Sequence, residues 1–455
     1  MTKSVHIGVS PSVRVENQII DKKASKWESV LLYLVIFALL LPTAAQSLVG
    51  GLLGLSFLIP RSWRYIRWSE GVPESFIKLL KTLFIVWGLL LLASVLQSAL
   101  AMDLGQMKPY LKLIGKQGVW GTIVIASMLF AQMKRRESFL NPRIFLLYTL
   151  ILILYSVLQR YLGIDWVHGI HAKLGENRLA YGVYRVSGWM DHPLTFSFNL
   201  MLVSLTTFAH ALWLQKRGEL KSSRIWFAQT LLLLFLLLLT DSRFPIALTI
   251  FLMVAASAWD LPKLRKFLYG GLGFGLVAII GIVFFVPHES LGRWGEFFDS
   301  NVALEQRFDR VIFWKINWQL FLQSPWLGTG LLSYDGRLLD TYLQAGYTSL
   351  ERKYNAHNIY LQTLADGGLL LEMGLALLLA AVGRLAFVVN KKHHHRAIPL
   401  IFLATLGGGL VQNHLRDTEY LYALWICIGL SLSWLIVQGN ENESRPGSQL
   451  QDLQP

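Results

Sequence analysis

Long apolar blocks separated by short, mostly basic segments run along this chain, as at 231–239, 247–258 and 375–381. A helix needs about 20 predominantly apolar residues to cross about 30 Å of hydrocarbon, where an unpaired backbone amide finds no partner. With their flanks, several blocks reach that length. The pattern predicts helices at 29–44, 46–60, 82–101, 117–133, 144–162, 193–214, 225–240, 244–259, 268–287, 368–389, 397–413 and 420–438. The expected fold is an all-α integral membrane protein with about twelve transmembrane helices. Its plan is a polar inner tail at 1–28, spans one to nine at 29–287, a large outward loop at 288–357, spans ten to twelve at 358–438, and a polar inner tail at 439–455. Residues 1–28 are polar and mixed in charge, so the first apolar run is expected to act as an uncleaved signal anchor.

The connecting segments support this count. With the N-terminus inside, Arg61/Arg64/Arg67, Lys134/Arg135/Arg136, Lys216/Arg217/Lys221/Arg224, Lys263/Arg265/Lys266 and Lys391/Lys392/Arg396 all fall on the inner side. This is the bias that holds cytoplasmic loops in place. It also accounts for the formal charge of +14 without nucleic acid. Lys108, Lys112 and Lys116 go against the bias on the outer side, at spacing that puts them on one helix face; they are expected to snorkel to the headgroups. Two outward segments, 163–192 and 288–357, are too long for turns. In the second, Val311, Trp314, Trp318 and Phe321 recur at helical spacing, which predicts an amphipathic helix at 310–322 lying over the bundle.

Composition narrows the chemistry. Hydrophobic residues make up 54% and charged ones 15%, against about 25% charged in soluble domains. The single cysteine, Cys427, excludes an intrachain disulfide. No Walker-type loop, HExxH or paired-cysteine spacing occurs, so ATP use, zinc catalysis and a resident cofactor have no support. His393-His394-His395 is flanked by Lys and Arg without carboxylates, which reads as a solvated basic loop and not as a metal site. No internal repeat is visible, which weakens a transporter built from duplicated halves.

Four clusters meet the outer face in this topology. Arg185 precedes Gly188 and Pro193, a bend and a helix opener; an interfacial anchor is the plainer reading. Arg243 sits in a tight turn after Asp241, where an arginine near hydrocarbon requires an anion, either Asp241 or a substrate. His357, with Asn355 and Asn358 beside it and Gly367-Gly368 following, is placed to accept a proton near neutral pH. In the last cluster, His414 to Glu419, the acids and Arg416 can pair among themselves.

In this order the clusters resemble the bacterial O-antigen ligase and O-antigen polymerase superfamily of membrane glycan transferases. The most specific stretch is Arg310-x-x-x-Trp314, then Ser324-Pro325-Trp326-Leu327-Gly328-Thr329-Gly330, Ala356-His357-Asn358 and Gly367-Gly368. The resemblance implies a bacterial inner-membrane enzyme with its active site facing the periplasm. It would move a glycan from undecaprenyl diphosphate to a sugar hydroxyl of the lipid A core or another glycan acceptor. It assigns catalysis to His357, Arg185 and Arg243, and substrate binding to Arg185, Arg243, Arg310 and Asn358. Asp417, Tyr420, Tyr422 and Trp425 are more ligase-like, although Thr418-Glu419-Tyr420 stands where ligases tend to carry Asp-Phe-Phe. A polymerase is the alternative within the superfamily, with a protein O-oligosaccharyltransferase behind it. A lipid-linked glycan flippase or secondary transporter is the alternative from another class.

Overall fold

The computed structural model describes residues 74–101, 107–115, 141–167, 179–180, 183–261, 309–331, 337–347 and 355–443, with short pieces within 30–49 and 265–273. Among these residues, seven helices are long and apolar enough to cross a membrane. Six of them are α1 (Glu74–Ala101), α3 (Pro142–Leu162), α4 (Pro193–Lys216), α5 (Leu220–Leu239), α6 (Arg243–Asp260) and α11 (Thr418–Glu443). The seventh, α9 (Ile359–His393), is followed by the shorter apolar α10 (Ala397–Gly409). Helices expected at 117–133 and mostly at 46–60 and 268–287 lie outside the described residues, as do parts of 29–44, the tail 1–28, Lys116 and residues 444–455, while 439–443 of the expected C-terminal tail continue α11. A two-residue-per-strand hairpin, β1 (Leu179–Ala180) with β2 (Val183–Tyr184), interrupts the expected all-helical pattern in the outward segment 163–192.

The packing order follows the distribution of apolar residues. Nearly every residue of α4 is buried, and α5, α6, α10 and α11 pack around it. A helix apolar on all sides belongs at the centre of a bundle. The outer helices show one buried and one exposed apolar face: in α3, Leu152 is buried while Leu147 and Leu154 are exposed. This is how a helix between protein and lipid should read. Packing runs from α1 to α9, α9 to α10, α10 to α4 and α6, α4 to α5, and α5 to α3.

α9 starts nine residues before the expected span at 368. Its 35 residues would cover about 50 Å if straight, well beyond the hydrocarbon thickness. Gly368 breaks it, with φ 59° and ψ −157°. The segment beyond the break is close to the predicted span; the turns before it form a lead-in.

The described residues of the segment expected as a large outward loop are partly helical, with α7 (Asp309–Gln323) and α8 (Arg337–Gln344), and α2 (Met107–Ile114) follows α1. α7 buries a different face from the one expected. Ile312, Phe313, Ile316 and Leu320 pack with Leu338, Tyr342 and Ala365, while Trp318 is 46% exposed. Two apolar stripes one position apart run along this helix, and α8 and α9 cover one of them. Lys108 and Lys112 are both exposed on α2, while Tyr110 is buried.

The two ends of the bundle differ in chemistry. At one end Lys216 and Arg396 share Asp260, at 2.8 and 2.9 Å, and the exposed Lys391 and Lys392 lie in the last turn of α9. His395 corrects the solvated-loop reading of its tripeptide. It is fully buried against Trp213 and Trp434, and burial pushes its pKa down to about 3; His393 and His394 are exposed. The opposite end collects the start of α4, α6, α9 and α11 with the end of α3, α5 and α10, and all four candidate clusters lie there.

Candidate functional site

The last turn of α3 fastens both arginine-bearing turns. After β2 the chain passes half-buried Arg185 and bends at Gly188 (φ +56), where an added Cβ would come within 2.6 Å of the Phe196 ring. It enters α4 through His192, whose Nδ1 accepts the Leu194 N–H at 3.1 Å, and through Pro193. Gln159 holds the bend from α3: its Nε2 donates to the Gly188 carbonyl at 2.7 Å and its Oε1 accepts from Ser187 N at 3.3 Å. The next residue, Arg160, donates to the Leu239 carbonyl at 2.9 Å and to Asp241 at 2.7 Å. Asp241 itself has a left-handed backbone (φ 52) in the tight turn from α5 to α6. The carboxylate weighed in the sequence as a counter-ion for Arg243 is thus gripped by Arg160. Half-buried Arg243 opens α6 with Ser242 as N-cap. It stands where unsatisfied helix N–H groups and the dipole favour an anion.

His357 lies just ahead of α9 in a left-handed conformation (φ 44). Its N–H donates to Asn355 Oδ1 at 2.9 Å, and Ala356 N donates to Gln362 Oε1 at 2.8 Å. These bonds fix a turn that the backbone alone would disfavour. The imidazole Nδ1 lies 3.0 Å from Gln412 Oε1, and the ring packs against Phe313 with centroids 5.9 Å apart. With the amide oxygen as acceptor, Nδ1 carries the proton and Nε2 the lone pair. Burial lowers the His357 pKa and the nearby Arg310 charge lowers it further, against the hydrogen bond that the ring donates to Gln412. Burial also lowers the pKa of Arg310. Asn358 is the N-cap of α9: its Oδ1 accepts from Tyr360 N at 3.0 Å and Leu361 N at 3.1 Å.

A backbone clasp holds the outward loop on the kinked helix. The break at Gly368 interrupts the helical ladder, and the Ser324–Gly330 turn takes up the released groups. Thr329 N and Gly330 N donate to the carbonyls of Ala365 and Asp366 at 2.8 and 2.9 Å, while Leu369 N and Leu370 N donate to those of Pro325 and Trp326 at 2.8 and 3.3 Å. Approach this close needs glycine on both sides. A Cβ on Gly328 would stand 2.3 Å from Asp366 backbone, and one on Gly368 2.5 Å from that of Trp326. The most specific motif in the sequence is therefore a joint between loop and span.

Behind the joint lies a polar network that sequence reading passed over. Asp366 is fully buried; Gln362 Nε2 donates to both its carboxylate oxygens at 3.0 Å, and Arg416 forms an ion pair with it. Gln97 of α1 donates to the carbonyls of Leu327 and Asp366 and accepts from Tyr110. Arg416 thus pairs across the bundle and not with its sequence neighbours. Asp417 instead accepts from Thr195 at 2.6 Å and from Glu419 N at 3.0 Å. One signal for Asp366 was present: a carboxylate beside Gly-Gly in an otherwise apolar stretch demands a partner. Gln412 carried no such mark, because a neutral amide in a loop is unremarkable by type.

Among the expected residues, His357 and Arg310 form one group and Arg185 and Arg243 a second, at the same end of the bundle. Residues 228–379 match the family model described as O-antigen ligase, a stretch that takes in Arg243, Arg310, the clasp and His357, with Arg185 ahead of it. No curated protein matches the chain. Over that third of its length the chain is similar to the O-antigen ligase family.

Proposed function

We propose that the chain is an O-antigen ligase-type glycosyltransferase. It moves a glycan from undecaprenyl diphosphate to a sugar hydroxyl of the lipid A core, at the outer face of the bacterial inner membrane. The observation that carries this is the buried, neutral-leaning imidazole of His357, held by Gln412 beside Arg310 at the end where Arg185 and Arg243 are fastened. The basic residues at the opposite end support its assignment to the cytoplasm.

A glycosyl diphosphate is already activated, so transfer needs no ATP. The acceptor hydroxyl oxygen attacks the anomeric carbon and its proton passes to His357 Nε2. The bond from that carbon to the diphosphate oxygen breaks with its electron pair, on the face opposite the attack, and the configuration inverts. Charge then grows on the leaving diphosphate. Guanidinium groups stay charged and bind phosphate oxygens bidentately, so Arg185 and Arg243 stabilise it, with the α6 N-terminus adding to the field. Each oriented contact supplies about 2–4 kcal/mol to the transition state. Arg310 assists from the His357 side, and Asn358 sets the turn that presents the imidazole.

The test is transfer in proteoliposomes containing the lipid-linked donor and a glycolipid acceptor, with chelator present. Wild-type protein is expected to transfer, while Arg185→Ala, Arg243→Ala and His357→Ala insert normally without transferring. Wild-type-like turnover by Arg243→Ala would remove the diphosphate clamp, and a strict need for divalent metal would require another stabiliser of the leaving group.

A further inference from the structure

Two arms of hydrogen bonds reach His357 from one carboxylate. Asp366 has no exposed surface and sits about two turns into α9, just ahead of the break at Gly368. Along the first arm both its oxygens accept from Gln362 Nε2 at 3.0 Å, and Gln362 Oε1 accepts the Ala356 N–H at 2.8 Å. An amide has a donor end and an acceptor end. Fixing the NH2 group on the carboxylate therefore turns the oxygen toward the peptide ahead of His357. Along the second arm Asp366 Oδ2 pairs with Arg416 Nη1. Arg416 closes the 3-10 turn His414–Arg416, its N–H donating to the Asn413 carbonyl at 3.2 Å. His414, buried and stacked on Phe198, has its Nδ1 3.0 Å from the Gln412 carbonyl oxygen. Gln412 then meets His357 Nδ1 through its side chain at 3.0 Å. The two arms close a circuit with Asp366 on one side and the imidazole on the other.

Stability alone does not account for charge at this place. Taking a carboxylate and a guanidinium out of water costs about as much as their attraction gains, so a buried ion pair adds little over apolar side chains of the same volume. What the pair supplies is direction. His357 has a positive φ of 44°, a conformation that most side chains avoid, and its ring needs the proton on one particular nitrogen. Which nitrogen carries it is set by the bond the ring makes. A free imidazole in water favours the proton on Nε2. In that form the nitrogen that faces the acceptor hydroxyl in the proposed reaction has no lone pair.

We propose that Asp366 is a positioning residue for His357: by clamping Gln362 and Arg416 together, it holds the Ala356–His357 turn against Gln412 and keeps the lone pair on Nε2. The use of Nε2 as a base rests on the transferase reading, whereas the positioning rests on the circuit of bonds. Asp366 acts only through these neighbours and touches neither donor nor acceptor.

The experiment uses the full-length protein in nanodiscs, isotope-labelled at histidine, with solid-state NMR reporting which ring nitrogen carries the proton. Transfer kinetics are measured on the same preparations, and the His357 signal is identified by its loss in His357→Ala. Wild type is expected to show the proton on Nδ1. Asp366→Leu combined with Arg416→Met removes both charges at similar volume, so thermal stability is expected to stay near wild type. In this double variant the His357 proton is expected to move to Nε2, with kcat falling about 100-fold and KM for the lipid-linked donor unchanged. Gln362→Met cuts the first arm without touching either charge, and it is expected to lower kcat to a smaller extent, again with KM unchanged. The proposal is overturned by a wild type with its proton on Nε2, by a double variant that keeps Nδ1–H, or by wild-type kcat in Gln362→Met. A proton that moves in the double variant, together with a wild type that transfers nothing, would leave the positioning standing and remove the transferase reading instead.

Discussion

In the proposed reaction a single imidazole, His357, is the proton acceptor at one end of the bundle. His357 was marked by residue type, as a histidine in an asparagine-rich turn, whereas Arg310 entered only through the resemblance. Gln412 was not legible, since nothing local marks an amide 55 residues away as the partner of that ring. The pH dependence follows from the groups around it. In the proposed reaction the base works as neutral imidazole, and burial and Arg310 hold the His357 pKa below the usual 6.5. Activity should therefore be full at neutral pH and decline only as pH falls through that lowered value. Arg310→Gln removes a lowering charge, so the acid limb of kcat/KM should move to higher pH; Gln412→Leu removes a raising hydrogen bond, so it should move lower. A limb that stays in place in both variants would mean that another group sets it.

At the scale of elements, the joint between outward loop and kinked helix decides whether the site is assembled. Both halves were visible as Pro-x-x-Gly-x-Gly and Gly-Gly. Their mutual fit was not, because backbone pairing across about forty residues leaves no local period. The same limit explains the misjudged face of α7: two apolar stripes have equal standing until the neighbours α8 and α9 choose one. Gly328 and Gly368 combine positive φ with backbone contacts at 2.3 and 2.5 Å for an added Cβ. Alanine at either should cost more than the roughly 1 kcal/mol of the conformational term alone, because backbone must shift. The expected result is loss of transfer and faster proteolysis within 309–347, with insertion intact. Gly374→Ala is the control, since its Cβ would meet only side chains of α1 at 3.9 Å; equal damage from all three would contradict the joint.

For the whole molecule, the periodic apolar blocks told most of the story. Seven expected spans recur as long apolar helices, and among the described residues the basic segments around Lys216 and Lys391–Arg396 lie at the opposite end from the candidate clusters. Less legible was the central place of α4, since a helix buried all round and one facing lipid both read as apolar. The ion pair between Asp366 and Arg416 and the depth of His395 likewise depend on helices far apart in sequence. In the proposed reaction the end that carries His357 faces outward and joins a finished glycan to its acceptor. The most direct test is the lipid-linked glycan profile of cells lacking this chain, read in spheroplasts with a glycan-binding probe that does not cross membranes. The account predicts long glycans still attached to the polyprenyl carrier and reachable from outside. Carrier bearing only single repeat units, or long chains that the probe cannot reach, would contradict it.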